Sequence, residues 1–115
     1  MDPMDADDHY LTCMVQSMGH IRQVARQGLS SLMESVAARD ATLWNIYLVS
    51  RAARRISDER KKAHPEIDWE ALAMLSRNII GDPWSVDVGK VGEYVENQLP
   101  DLRERLQRVL VNWAK

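Results

Sequence analysis

The chain has 115 residues, of which 45% are hydrophobic and 28% charged, and its formal net charge is −2. This length supports one domain with a real core but not two, so we expect residues 1–115 to form a single helical domain. The near-zero charge excludes nucleic-acid binding through a gross basic field and leaves a local basic cleft open. Cys13 is the single cysteine, so no internal disulfide is expected.

The N-terminal segment is acidic and has no apolar run, which is not the pattern of a signal peptide. No stretch approaches the roughly 20 apolar residues of a membrane-spanning helix. We therefore expect a cytoplasmic protein that does not bind membranes. Neither a second histidine at a ligand spacing nor a Glu-x-x-His unit occurs, so we expect no metal and no cofactor.

Apolar residues recur at spacings of three and four along the chain, which predicts helices nearly everywhere. The first helix has Asp7 and Asp8 in its first turn and stops at Gly28. Residues 32–38 are predicted to form a short helical turn. The apolar stripe of the first helix is Leu11, Met14, Val15, Met18, Ile21 and Ala25.

The second helix is expected to start at Asp40 or Thr42 and to run to about Ala63. It ends there because His64 precedes Pro65, and a residue before proline is pushed out of the helical region.

Three more helices follow in the sequence. Asp68 caps the third, which Gly81 and the next two residues break, and Asp87 caps the fourth. Pro100 suits the first position of the last helix. The pattern predicts an all-α, antiparallel bundle of four to five helices with short connections. The apolar positions of the last three helices are Leu72, Leu75, Ile79, Ile80, Val88, Val91, Val95, Leu102, Leu106, Val109, Leu110 and Trp113.

Residues 77–84 place an arginine, a polar partner, an acid and an aromatic residue at the end of the predicted third helix. In order and spacing they resemble the R-x4-H-x-Y motif of the HEPN superfamily, in particular its HepT-like branch of small ribonuclease toxins. Arg77 and Asn78 match the motif. Asp82 stands where the family has its catalytic histidine, and Trp84 stands where it has a tyrosine. We name Arg77, Asn78 and Asp82 as the candidate catalytic positions.

The resemblance covers the chain from roughly Tyr10 to Leu110. Residues 45–57 are similar to the second helix of the family, with Ser50-Arg51-Ala52 where a Gly-Glu-Ala triplet is usual. The remaining landmarks follow in order at residues 64–69, 86–87 and 99–102.

The resemblance implies an all-α homodimer in which two motif arginines and two histidines share one cleft for metal-independent RNA cleavage. It also implies a minimal nucleotidyltransferase antitoxin as partner, which adenylylates the motif tyrosine in characterised systems. An ionised carboxylate at position 82 is a weaker base than imidazole and cannot donate a proton. Trp84 has no hydroxyl that could be adenylylated. The resemblance therefore predicts a toxin component with impaired RNA cleavage. The alternative is a non-catalytic HEPN dimer that binds or scaffolds a nucleotidyltransferase.

Five residues share one face of the predicted second helix: Arg51, Arg54, Arg55, Trp44 and Tyr47. This face is either solvated, with Arg54 paired to Asp58, or it is a dimer interface or anion cleft. Both interpretations stay open, and we count these five residues and Trp84 as candidate interface residues.

At two positions the charge is opposite to that of the family. Arg51 stands where the family has an acid, and Asp82 stands where it has a base. This exchange predicts an ion pair between Arg51 and Asp82, within one subunit or across the dimer.

Overall fold

The computed structural model describes residues 3–26 and 34–113, and every regular element in these two ranges is a helix. The predicted all-α class is therefore confirmed. The helices, numbered in chain order, are α1 (Pro3–Ala25), α2 (Val36–Arg54), α3 (Asp58–Ala63), α4 (Trp69–Ala73), α5 (Leu75–Ile79), α6 (Val88–Asn97) and α7 (Leu99–Trp113). Helix α1 packs against α2 and α7, α2 also packs against α4 and α5, and α6 lies against α1 and α7.

The buried side chains of these helices form one hydrophobic cluster. Most of the predicted apolar positions belong to it or pack against it. Tyr94 is buried beside the predicted valines of α6, although the sequence did not indicate it. The Trp113 side chain, Gly28 and the first part of the predicted turn 32–38 lie outside the described residues. The fully buried positions of α1 and α7 include Leu11, Met14, Met18, Ile21, Leu106 and Val109.

Helix α1 begins before Asp7 and Asp8, so the prediction that these two acids occupy its first turn is wrong. Asp7 is buried, and it accepts hydrogen bonds from the backbone N–H of Ser57 at 2.8 Å and from its hydroxyl at 2.5 Å. The fully buried Arg60 donates to Asp8 at 3.1 Å. Because Ser57 follows the C-terminal end of α2, these bonds set α1 antiparallel to α2.

The prediction of one helix from residue 40 or 42 to residue 63 is wrong at its start and in its continuity, although its end at Ala63 is correct. Ser35 caps the start of α2 by accepting a hydrogen bond from the Ala38 N–H at 3.1 Å. After α2 ends, the Ser57 hydroxyl accepts from the Arg60 N–H at 3.2 Å and starts α3. The chain therefore bends between residues 54 and 58, and this bend lets Ser57 reach α1.

The later helix boundaries agree with the sequence more closely. Asp68 and Asp87 both cap helices by accepting a hydrogen bond from the N–H three residues further on. Gly81 has a φ of 62°, a left-handed conformation that glycine adopts without a steric penalty. The predicted third helix is divided at Met74 into α4 and α5. Helix α7 begins one residue before the predicted Pro100, which is within the usual uncertainty of helix ends.

Within the described ranges, none of the helices is long and apolar enough to cross a membrane. The cytoplasmic location and the single domain stay predictions.

Candidate functional site

The arginine of the motif is placed by a hydrogen bond between two helices. Ser50 on α2 is fully buried, and its hydroxyl accepts a hydrogen bond from the backbone N–H of Ser76 on α5 at 2.8 Å. The first N–H groups of a helix have no partner within the helix, so this bond satisfies one of them. It also fixes the start of α5 against α2, one residue before Arg77.

Arg77 lines an open groove between α2 and the end of α5, which we call the aromatic groove. The groove has a volume of about 530 Å³. The rings of Trp44 and Tyr47 stack with a centroid distance of 5.4 Å, and these residues are 58% and 41% exposed. Within the described part of the chain, the Arg77 guanidinium forms no ion pair. The groove is lined by Asp40, Leu43, Trp44 and Tyr47 on one side and by Ser76, Arg77, Ile80, Gly81 and Pro83 on the other.

A β-turn of residues 82–85, which we call the tip, stands beside this groove. The Ser85 N–H bonds to the Asp82 carbonyl at 3.1 Å, and aspartate and proline are favoured at the first two positions of such a turn. The Asp82 carboxylate accepts from the Trp84 N–H at 3.0 Å and from the Ser85 hydroxyl at 3.1 Å. Both of its oxygens therefore stabilise the turn. Trp84, at the third turn position, is 95% exposed.

Two of the candidate residues have other roles in the structure. Asn78 is exposed and does not line the aromatic groove, and its carbonyl accepts a hydrogen bond from Lys90 Nζ at 2.9 Å. Arg54 Nε donates to the Ala73 carbonyl at 3.3 Å, which ties α2 to the end of α4. Because α2 ends at Arg54, the chain bends before Asp58, and the expected helical pair of Arg54 and Asp58 is not formed among the described residues.

Arg51 and Arg55 line a second groove, between α1 and α2, with a volume of about 430 Å³. His20 lies in the same groove and is exposed. Arg51 does not line the aromatic groove, which the tip borders. The Asp82 carboxylate accepts hydrogen bonds from its own turn. The predicted pair of Arg51 and Asp82 is not formed among the described residues of one chain, and its formation across a dimer stays a prediction.

The sequence prediction missed Leu43, Ile80 and Pro83 as residues of the aromatic groove. Leu43 precedes Tyr47 by four residues and so lies on the same helix face, which is a signal that the sequence contains. For Pro83 the sequence has no such signal, because its position depends on how the turn folds back.

The described residues contain no group of three His, Cys, Asp or Glu side chains that could hold a metal ion. Cys13 is half-buried, and its Sγ lies 3.7 Å from His9 Nε2.

A family model described as "Ribonuclease HepT-like" matches residues 14–109. The chain belongs to the HepT-like ribonuclease family. A protein of Thermococcus cleftensis named "Probable ribonuclease HepT" is similar to this HepT-like chain, with 25% identity over 69 residues. That similarity covers 60% of this chain and 63% of the relative, so the chain spans less than two thirds of the relative's length. No solved structure matches the chain.

Proposed function

We propose that this HepT-like chain is the toxin component of a toxin–antitoxin pair and that its site cleaves RNA poorly. It acts as a homodimer whose two Arg77 residues border a shared cleft. The observation that supports this proposal is that the Asp82 carboxylate is hydrogen-bonded within its own turn. One oxygen of this carboxylate accepts from the Trp84 N–H and the other from the Ser85 hydroxyl, so the side chain stabilises its own turn and does not supply the imidazole that general acid–base catalysis uses most often.

Arg77 is the residue that supports RNA binding by the same protein. Its side chain is exposed and forms no ion pair in the described structure, so it can contact a phosphate without first breaking a bond. RNA binding and RNA cleavage are therefore separable properties of this site.

An RNA cleavage assay tests the proposal with two substitutions at one position. Asp82→Asn has a side-chain amide oxygen that can still cap the turn, but it supplies no base. Asp82→His supplies the imidazole. We expect Asp82→His to cleave RNA faster than both the natural protein and Asp82→Asn. The increase should reach a factor of up to about 10² to 10⁴, the usual contribution of a general acid–base.

Arg77→Ala in the Asp82→His background is the control, and it should remove the gained cleavage and weaken RNA binding. Efficient cleavage by the natural protein that Arg77→Ala abolishes would contradict the proposal of an impaired site.

The alternative function is a non-catalytic dimer that binds a minimal nucleotidyltransferase. The observation that favours it is Trp84, which is 95% exposed and has no hydroxyl to adenylylate. Mass spectrometry after incubation with a candidate partner and ATP separates the two functions. A stable complex without RNA binding supports the alternative, whereas an AMP group on residues 77–87 would contradict it, because the motif would then still be a modification site.

A further inference from the structure

Two surface features are unexplained by the contacts among the described residues of one copy. Trp84 is 95% exposed at the tip, and the aromatic groove beside it is open and has an apolar lining that includes Leu43, Trp44 and Ile80. Large exposed apolar groups that lie together mark interaction sites. Trp84 does not line the groove of its own chain, so among the described residues the exposed indole and the open groove do not contact each other.

We propose that Trp84 of each subunit inserts into the aromatic groove of a second copy of this chain. The proposal rests on the homodimer of the proposed function and identifies how that dimer is held together. It assigns the groove to the partner's tip and leaves Arg77 at the rim of the shared cleft.

The position of the tip next to the groove fits a two-fold dimer. Pro83 both belongs to the tip and lines the groove, so donor and acceptor surfaces are neighbours on one chain. In a two-fold interface, a contact of one residue with a second is repeated with the two copies exchanged. One pairing therefore buries both indoles and closes both grooves.

The tip is held in one conformation before any partner arrives. Its turn hydrogen bond and the two bonds to the Asp82 carboxylate fix the backbone on which Trp84 is presented. A preorganised turn loses little conformational freedom on binding, which favours association. The exposure of Trp84 is therefore a property of an ordered turn.

The charges of the two surfaces are complementary as well. The tip has the exposed Asp82 carboxylate. The groove has the Arg77 guanidinium, which no described residue pairs, whereas Asp40, the acid of the groove lining, is paired with Arg39 at 3.6 Å. Insertion of the tip brings the partner's indole onto the aromatic wall and the partner's Asp82 toward Arg77, whose five N–H donors can contact this carboxylate and an RNA phosphate together. A guanidinium beside an indole adds a cation–π attraction, and tryptophan and arginine are the residues most enriched among interface hot spots.

A complementation experiment tests this arrangement with a tip variant, Trp84→Ala, and a groove variant, Trp44→Ala. Both residues are exposed, so both variants should fold, and circular dichroism checks this. Each variant alone should raise the monomer–dimer dissociation constant at least tenfold, because every dimer loses two symmetry-related contacts. When the two variants are mixed, the intact tip of one meets the intact groove of the other. At equal concentrations the mixed dimer should therefore exceed either variant homodimer by clearly more than the twofold excess that random pairing gives, as measured by native mass spectrometry.

Val111→Ala is the matched control, since Val111 is an exposed apolar residue on α7 outside the groove, with the same 58% exposure as Trp44. It should leave the dissociation constant unchanged. A natural protein that is monomeric at micromolar concentration would overturn the homodimer and the inference together. A natural dimer that Trp84→Ala does not weaken would overturn the inference alone. Loss of RNA binding by Trp84→Ala with an intact dimer would also overturn it, because the indole would then bind bases.

Discussion

At the scale of single residues, the placement of Arg77 depends on Ser50. Its hydroxyl is the partner of the Ser76 N–H in a buried contact between α2 and α5. We expect Ser50→Ala to lower the free energy of unfolding by about 1–3 kcal/mol, because a buried N–H loses its acceptor. Urea denaturation measures the change. Ser85→Ala is the control, since it removes an exposed hydroxyl from Asp82 and should change stability by less than about 0.5 kcal/mol. Equal effects of the two substitutions would argue against the role of Ser50.

Tyr94 predicts a specific response to alkaline pH. Burial raises the pKa of Tyr94 to about 12, from 10.0. Between these values the unfolded chain releases the phenol proton and the folded chain keeps it, so stability falls as pH rises. At pH 11 this linkage costs about 1.4 kcal/mol relative to neutral pH.

Tyr94→Phe is the variant that tests this response. Although the substitution changes stability at neutral pH as well, it should remove the part of the loss between about pH 9 and 11 that comes from the phenol. Absorbance of ionised tyrosine near 295 nm should show one late-titrating phenol in the natural protein that the variant lacks. Parallel loss of stability in both proteins over this pH range would refute the assignment.

At the scale of elements, the sequence predicted helix ends where one residue decides them. Asp68 and Asp87 cap helices, and Gly81 has the left-handed conformation that a helix end requires. The bend between α2 and α3 was missed because Ile56 continues the apolar pattern across it. Ser57, followed by two acids, has the residue pattern of a helix start, so the signal was present but competed with the periodicity.

The contact between α1 and this bend predicts a large effect of one buried acid. Burial lowers the pKa of Arg60, and the Asp8 and Asp7 carboxylates act in the opposite direction. We expect Asp7→Ala to cost about 3–5 kcal/mol, because it weakens the compensation of a buried charge and removes both hydrogen bonds to Ser57. Denaturant unfolding monitored by circular dichroism measures this cost.

The control for Asp7→Ala removes the acid of an exposed ion pair. Glu104 accepts from Arg108 Nη2 at 2.8 Å one helical turn away, and both side chains are more than 60% exposed. Glu104→Ala should cost only about 0.3–0.5 kcal/mol. A cost for Asp7→Ala as small as this would show that the contact between α1 and the bend contributes little.

At the scale of the whole molecule, the sequence located the motif and the family but not the groove that Arg77 lines. The order of landmarks depends on local spacing, which a single sequence contains. The aromatic groove depends on the distance between α2 and α5, which the hydrogen bond from Ser76 to Ser50 sets. Arg51 illustrates the difference. Helical periodicity correctly predicted that it lies on an exposed face of α2, but its neighbours across the second groove belong to α1.

The proposed homodimer also predicts how thermal stability depends on concentration. A dimer that forms only from folded subunits is stabilised by mass action, so each tenfold rise in concentration adds about 1.4 kcal/mol per dimer. The melting temperature of the natural protein should therefore rise steadily between about 1 and 100 µM. Trp84→Ala should melt at a temperature that changes little over the same range, because its subunits associate weakly. Differential scanning calorimetry measures both series. If the melting temperature of the natural protein does not change with concentration, folding is not coupled to dimerisation.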